Sequence, residues 1–129
     1  MEPVTITFPT VGRALSTNQA NSMHWAARRR ALEPWREGVM YAWRAMRSKP
    51  GVKEIVGIPC NIQVHLPFPD NRRRDPSNYV GTVVKAIVDQ LVQEGLWPDD
   101  DPEYVTVMEP VVIIGDMCSV DLIPREPRG

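Results

Sequence analysis

The segment from Arg72 to Val105 constrains the fold of this chain most strongly, because helix-start and helix-stop signals bracket one amphipathic run. Asp75-Pro76 is typical of a helix start, since a carboxylate can cap free backbone amides and proline fits the first helical position. Gly95 is typical of a helix end. The run is therefore predicted to be a helix that packs one face on a sheet. Its apolar residues are Val80, Val84, Ile87, Val88 and Leu91.

The opposite side of this predicted helix is polar. Its residues, spaced 3, 4, 3 and 4 apart, are Asp75, Asn78, Thr82, Lys85 and Asp89, and a continuous helix would confine them to an arc of about 80°. Such a stripe is commonly only a solvated face. However, three arginines precede it and three aspartates follow it, at 72–74 and 99–101. Because arginines bind phosphate and carboxylates bind hard divalent cations, the segment indicates metal-assisted chemistry on a phosphodiester.

Strand patterns flank this helix and predict an α/β (α+β) fold. Alternating residues predict strands at Val4–Phe8 and Cys60–Leu66, and two more are expected at Tyr104–Ile114 and Cys118–Ile123. We expect the last two to form a hairpin at Gly115-Asp116, with Pro110 at an edge or a bulge. Residues 10–22 are expected to form a loop. A helix is expected over residues 22–47, kinked or divided at Pro34. Together these elements predict a small mixed four-stranded sheet that is covered by two main helices and contains one βαβ unit.

Bulk properties limit the classes of function. The 129 residues are enough for one domain, expected at 1–124, with a loose tail at 125–129. A net charge of −1 means that nucleic-acid binding would depend on local basic clusters, at 28–30 and 72–74. Arg28 and Arg29 are candidate phosphate contacts, with a solvated helix face as the alternative.

Cys60 and Cys118 are predicted to be buried and reduced. With no membrane-length apolar run and no signal-peptide profile, we expect a cytoplasmic protein.

The central segment resembles the RusA-type Holliday-junction resolvases, small dimeric endodeoxyribonucleases of bacteria and their phages. Their signature is an arginine-rich stretch, Asp-x-Asp-Asn, a lysine, an aspartate, a glycine and Asp-Asp. The matching residues here are Arg72-Arg73-Arg74-Asp75, Asn78, Lys85, Asp89, Gly95 and Asp99-Asp100. Order and spacing agree well from Lys85 to Asp100, and the N-terminal half agrees more loosely.

The resemblance implies an Mg²⁺-dependent nuclease, with Mn²⁺ as a possible substitute, that acts as a homodimer on branched DNA in recombination and repair. Paired nicks in a four-way junction would leave 5′-phosphate and 3′-hydroxyl ends. The implied location is the cytoplasm of a bacterium, associated with the nucleoid. The implied catalytic residues are Asp75, Lys85 and Asp100. The implied metal ligands are Asp75, Asp89, Asp99 and Asp100. The implied DNA contacts are Arg28, Arg29, Arg72, Arg73, Arg74 and Asn78.

Two departures from the signature leave alternatives open. Ser77 stands where the second aspartate of the family falls, so Asn78, Asp89, Asp99 or Asp101 would have to compensate. The interval from Asn78 to Lys85 is also longer by about one helical turn. A single rigid helix would hold Asp75 and Asp100 apart, so we expect the helix to begin late, near Gly81, or the site to be shared across a dimer.

The alternative functions are a flap or fork nuclease and a branched-DNA-binding protein with weak or no catalysis. His24 is expected to have a structural or helix-capping role in preference to a catalytic one.

Overall fold

The computed structural model describes residues 1–10 and 12–126, in which a mixed β-sheet carries its helices on one face. The strands are β1 (Val4–Pro9), β2 (Cys60–Phe68), β3 (Val105–Val107), β4 (Val111–Ile114) and β5 (Met117–Pro124). The helices are α1 (Thr17–Asn21), α2 (Trp25–Met46) and α3 (Lys85–Gln93). Shorter helical turns occupy Lys53–Ile55, Pro76–Tyr79 and Val80–Val84. The predicted α+β class is therefore confirmed.

The sheet has five strands in four positions. Its order is β1-β5-β2-β3, and β4 pairs with β2 on the same side as β3. β3 runs parallel to the first half of β2, and β4 runs parallel to its second half. The strand expected at Tyr104–Ile114 is thus interrupted at residues 108–110. Pro110 lies in this interruption, at an edge of the sheet, because it has no amide hydrogen to donate to the ladder.

The predicted hairpin is wrong, because β4 and β5 lie on opposite sides of β2. β5 is antiparallel to both β1 and β2. The chain between β4 and β5 passes the end of β2, where the amide of Gly115 donates to the carbonyl of Phe68 at 2.9 Å. This arrangement satisfies the backbone groups of the central strand β2 on both edges, which a β4–β5 hairpin would not do.

The core lies between the sheet and the helices. Along β1, Val4, Ile6 and Phe8 are buried while the alternate residues are exposed. α2 packs closely against this strand, since a Cβ added at Gly38 would lie 2.4 Å from the ring of Phe8. The predicted apolar face is confirmed, with Val80 half-buried and the rest buried. The larger apolar side chains that the helical segments bury include Trp35, Val39, Trp43, Val84, Ile87, Val88 and Leu91.

Two helices differ from expectation in the N-terminal half. α2 is one helix that contains Pro34 in its interior, so the chain is not divided there. α1 forms inside the expected loop, because Ser16 and Gln19 make a reciprocal capping box. In that box the Ser16 hydroxyl accepts from the Gln19 amide, and the Gln19 side chain accepts from the Ser16 amide.

The central helical segment changes type twice. It starts as a 3₁₀ turn at Pro76–Tyr79, continues as a π-helical turn at Val80–Val84, and becomes α-helical only at Lys85. The α-helix therefore begins even later than the expected start near Gly81, and residues 76–84 form helical turns before it. The helix ends as predicted at Gly95, whose φ is +86°, with the Leu96 amide donating to the Leu91 carbonyl.

The C-terminal segment is anchored where the tail was expected to begin. The Arg125 amide donates to the Pro59 carbonyl at 2.9 Å, and its guanidinium donates to the Pro102 carbonyl. The remainder of the predicted tail, residues 127–129, lies outside the described residues. Within the described ranges, none of the helices combines the length and apolar character that a membrane crossing requires.

Candidate active site and nucleic-acid interface

The turn before the central helix is organised by Asp70. Its carboxylate accepts the Arg72 amide at 3.0 Å and pairs with the Arg74 guanidinium at 3.0 Å. Arg74 also donates to the carbonyls of Asp70 and Arg72, both at 3.2 Å. The hydrogen bond from the Arg72 amide, helped by the Arg74 guanidinium, lowers the pKa of the Asp70 carboxyl below its ordinary value. The turn is thus held by an ionised carboxylate.

The three arginines of this turn are not equivalent. The guanidinium of Arg74 lies 4.1 Å from the centroid of the Phe68 ring, and the side chain is only 16% exposed. The side chain of Arg72 is 81% exposed, and Arg73 is also exposed. Arg72, which makes only a loose ion pair with Asp70 at 3.9 Å, and Arg73 can therefore reach a phosphate backbone, whereas Arg74 is built into the turn.

Asp75 caps the 3₁₀ turn. One carboxylate oxygen accepts both the amide of Ser77 at 3.1 Å and its hydroxyl at 2.8 Å. The backbone amide of Asn78 donates to the backbone carbonyl of Asp75. In the described part of the chain, no hydrogen bond or ion pair joins Asp75 to Lys85. The serine in the position of the family's second aspartate thus contributes a hydrogen bond to Asp75 and no second carboxylate.

Lys85 lies between two carboxylates that are separated along the chain. Its ammonium lies 3.5 Å from Asp89, one turn along α3, and 3.8 Å from Asp100 in the loop that follows. The three side chains line a cleft of about 240 Å³, together with Val80, Gly81, Val88 and Val107. Because the α-helix has only nine residues, the loop after Gly95 can bring Asp100 back to Lys85. We call this cluster the lysine site.

The structure also separates the roles of the three consecutive aspartates. Asp99 accepts the amide of Asp100 at 2.7 Å, and Asp101 accepts the amide of Glu103 at 2.9 Å. Both carboxylates are therefore occupied in shaping the loop. Asp100 is the one of the three that faces Lys85.

The predicted metal ligands are not gathered into one cluster. Among residues 1–10 and 12–126, no group of three or more His, Cys, Asp or Glu side chains is arranged to hold a metal ion. Mg²⁺ is nevertheless commonly bound through one or two carboxylates, with water and substrate phosphate completing its shell. Asp89 and Asp100 supply such a pair of hard oxygen donors, so their chemistry fits this ion.

A second cation from α2 approaches the lysine site. The guanidinium of Arg36 lies 3.9 Å from the Asp89 carboxylate. Arg36 also lines a groove with Arg29, Glu33 and Gln90 between α2 and α3. The sequence offered no signal for Arg36 beyond its being a basic helix residue, because its partner is 53 positions away along the chain.

The arginines of the basic cluster on α2 are not among the residues that line the lysine site. Arg28 is exposed and donates to the Ala20 carbonyl at 3.1 Å, so it joins α2 to α1. Arg29 is exposed in the groove beside Gln90. The His24 side chain accepts the Ala26 amide at 3.2 Å and caps α2, which confirms the expected capping role.

A further pocket was missed by the sequence reasoning. It lies between residues 12–19 and the turn at residues 67–79, with a volume of about 240 Å³. Its charged lining residues are Arg13, Asp70, Arg72 and Arg74, joined by Gln19, Phe68 and Tyr79. No sequence motif indicates this pocket, because a single arginine in a polar loop, here Arg13, is not a recognisable pattern. The Ser-x-x-Gln capping box that begins at Ser16 does indicate that this loop has a fixed structure. We call this the arginine pocket.

Comparison with known proteins adds no family assignment. No protein-family model matches this chain, and no curated protein is significantly similar to it in sequence. The resemblance to the junction resolvases therefore rests on the motif residues between Arg72 and Asp100.

Proposed function

We propose that this chain is an Mg²⁺-dependent endodeoxyribonuclease that cuts branched DNA and resolves four-way junctions by paired nicks. The observation that carries the proposal is the lysine site, in which Lys85 lies between Asp89 and Asp100. Exposed arginines at 72 and 73 precede the same helical segment. A cation beside two carboxylates, on a segment that also carries groups able to bind phosphate, is a combination suited to phosphodiester hydrolysis.

The side chains divide the work as follows. Asp89 and Asp100 would hold Mg²⁺, which when bound supplies Lewis-acid stabilisation of the phosphate and a more acidic water. Lys85 neutralises negative charge on the scissile phosphate as it develops. Arg72 and Arg73 hold the flanking backbone. Asp75 caps the turn that carries these arginines toward α3 and is a further candidate ligand.

The assembly is part of the proposal. A four-way junction has two-fold symmetry, so two symmetric nicks call for two sites and hence a homodimer. With a net charge of −1, binding would be concentrated on the basic clusters of each subunit and would weaken steeply with salt.

A second candidate is a branched-DNA-binding protein with little catalysis. The observation that favours it is Ser77, which occupies the place of a family carboxylate and hydrogen-bonds to Asp75. Such a protein would bind junctions equally well with and without Mg²⁺.

The test is cleavage of a synthetic four-way junction beside linear duplex and a flap, with Mg²⁺ or with EDTA. We expect paired nicks in the junction that require Mg²⁺ and are lost in Asp100→Asn and Asp75→Asn. Asp101→Asn is the matched control, because its amide oxygen can still accept from Glu103. Junction binding without nicks in the wild type would support the second candidate. Cleavage of the flap in preference to the junction would support a flap nuclease.

A further inference from the structure

The arginine pocket is distinct from the lysine site in its lining residues. Three guanidinium groups, from Arg13, Arg72 and Arg74, face one carboxylate, Asp70. Asp70 is paired with Arg74 at 3.0 Å, accepts the Arg72 backbone amide, and lies 3.9 Å from the Arg72 guanidinium. The lining therefore has a net positive charge that is left for an anion, and Arg13 and Arg72 are exposed enough to meet it.

Arg74 offers this pocket a flat cationic surface. Three of its five N–H donors are used by Asp70 and by the carbonyls of Asp70 and Arg72. Phe68 covers one face of its guanidinium at 4.1 Å. Since Arg74 also lines the pocket, the part that Phe68 leaves uncovered is a cationic plane of the kind on which nucleobases stack.

Gln19 adds a positioned donor. Its Oε1 accepts the amide of Ser16 at 3.1 Å and the hydroxyl of Ser16 at 3.2 Å. These bonds fix the orientation of the side chain and direct its Nε2 hydrogens to other partners. Because Gln19 lines the arginine pocket, a ligand there can accept from it.

We propose that the arginine pocket binds one unpaired nucleotide of the DNA, with its phosphate against Arg13 and Arg72 and its base stacked on Arg74. The Gln19 amide would donate to the edge of that base. The choice of DNA as the source of the nucleotide rests on the proposed function, which this inference deepens by naming how a branch point is recognised.

The shape of the pocket favours a single nucleotide over duplex backbone. Its volume of about 240 Å³ is too small to hold a segment of duplex. Its walls combine guanidinium groups with the rings of Phe68 and Tyr79 and with Pro67 and Pro69. A base that is paired and stacked in a duplex cannot enter such a pocket, whereas a base at a branch point can be unstacked at lower cost.

The test is titration of the ¹⁵N-labelled protein in EDTA, followed by the NMR signals of the Gln19 side chain. The probes are thymidine 3′,5′-bisphosphate, the same bisphosphate without its base, and inorganic phosphate. We expect the nucleotide to bind about tenfold more tightly than the abasic compound, since base stacking contributes on this scale. Equal affinity for the two would overturn the assignment and leave a simple phosphate site.

Variants separate the contributions of charge and stacking. Arg74→Lys keeps the charge but not the plane, so it should abolish the preference for the base. Arg13→Ala should weaken both ligands alike. Arg47→Ala removes another exposed arginine, at the end of α2, and should change nothing. An Arg47→Ala effect as large as that of Arg13→Ala would overturn the site, because it would show unspecific attraction. The backbone amide spectrum of each variant reports whether it folds.

The metal-free measurement keeps this inference apart from the proposed function. A protein that prefers the nucleotide but never cuts a junction contradicts the nuclease proposal alone. A protein that cuts junctions but shows no preference for the base contradicts the pocket alone.

Discussion

Substitution of Lys85 tests the proposed chemistry most directly. Its ammonium is shared by two carboxylates, and Arg36 is the next cation near Asp89. We expect Lys85→Met to reduce the single-turnover cleavage rate by about 100-fold, because a group aimed at developing charge is lost. Arg36→Met, which removes the more distant cation, should have a smaller effect. Equal losses in the two variants would mean that general electrostatics, and not the position of Lys85, supports cleavage.

Thr82 shows how a single side chain ties the N-terminal loop to the central segment. It is buried, and its hydroxyl donates to the carbonyl of Leu15, while the carbonyl oxygen of Tyr79 lies 3.4 Å from the hydroxyl oxygen. Thr82→Val keeps the shape but leaves the Leu15 carbonyl without this donor, so we expect a loss of about 1–2 kcal/mol in the free energy of unfolding. Thr82→Ser should lose less. Urea unfolding measures both, and a valine variant as stable as wild type would contradict the assignment.

The polar stripe shows the limit of residue-level prediction. The prediction of one polar face assumed 3.6 residues per turn throughout the segment. The segment instead passes from 3₁₀ to π to α geometry. The angle between successive members is therefore not constant, and Thr82 is turned into the core while Lys85 and Asp89 remain exposed or half-exposed. Within α3 itself, where the assumption holds, Lys85 and Asp89 meet as their spacing indicates.

At the scale of elements, we expect substitution by alanine to have opposite effects on the free energy of unfolding at two glycines of the central segment. Gly95 has a φ of +86°, and a Cβ there meets nothing within 4 Å. We expect Gly95→Ala to cost about 1 kcal/mol through backbone strain alone. Gly81 lies in the helical segment without a positive φ, and its nearest contact would be Thr17 at 3.8 Å. Gly81→Ala should stabilise by about 0.5 kcal/mol. Thermal unfolding of the pair checks both signs.

Element positions followed from the sequence more readily than strand partners did. Alternation located β1 and β2 because burial on one face has a period of two. It carried no information on which edge of β2 each later strand would join. The hairpin expectation used only the turn residues at Gly115-Asp116 and omitted the backbone groups of β2, which decide the pairing. α1, in contrast, had a readable signal in its capping box.

At the scale of the whole molecule, the two buried thiols couple stability to alkaline pH. Burial raises the pKa of Cys60 from 9.0 to about 11 and that of Cys118 from 9.0 to about 12. Above pH 9 the unfolded chain loses thiol protons that the folded chain retains, so the free energy of unfolding should fall as pH rises toward 11. Below about pH 8 the thiols should contribute almost no slope. Urea unfolding between about pH 8 and pH 10 tests this.

The control is a protein with Cys60→Ala and Cys118→Ala. It should be less stable at pH 8 because of the cavities it creates, but its stability should fall less steeply above pH 9. The same slope in both proteins would assign the alkaline loss to other groups.

The lysine site and the arginine pocket differ in how far apart their parts lie along the chain. Lys85, Asp89 and Asp100 all belong to the connection between β2 and β3, so this cluster is local. The arginine pocket needs residues 12–19 to lie against residues 67–79. If the N-terminal segment detaches for a moment, the pocket disappears while the three groups around Lys85 can stay together. Recognition and cutting would then have separate thermal limits, with recognition failing at the lower temperature.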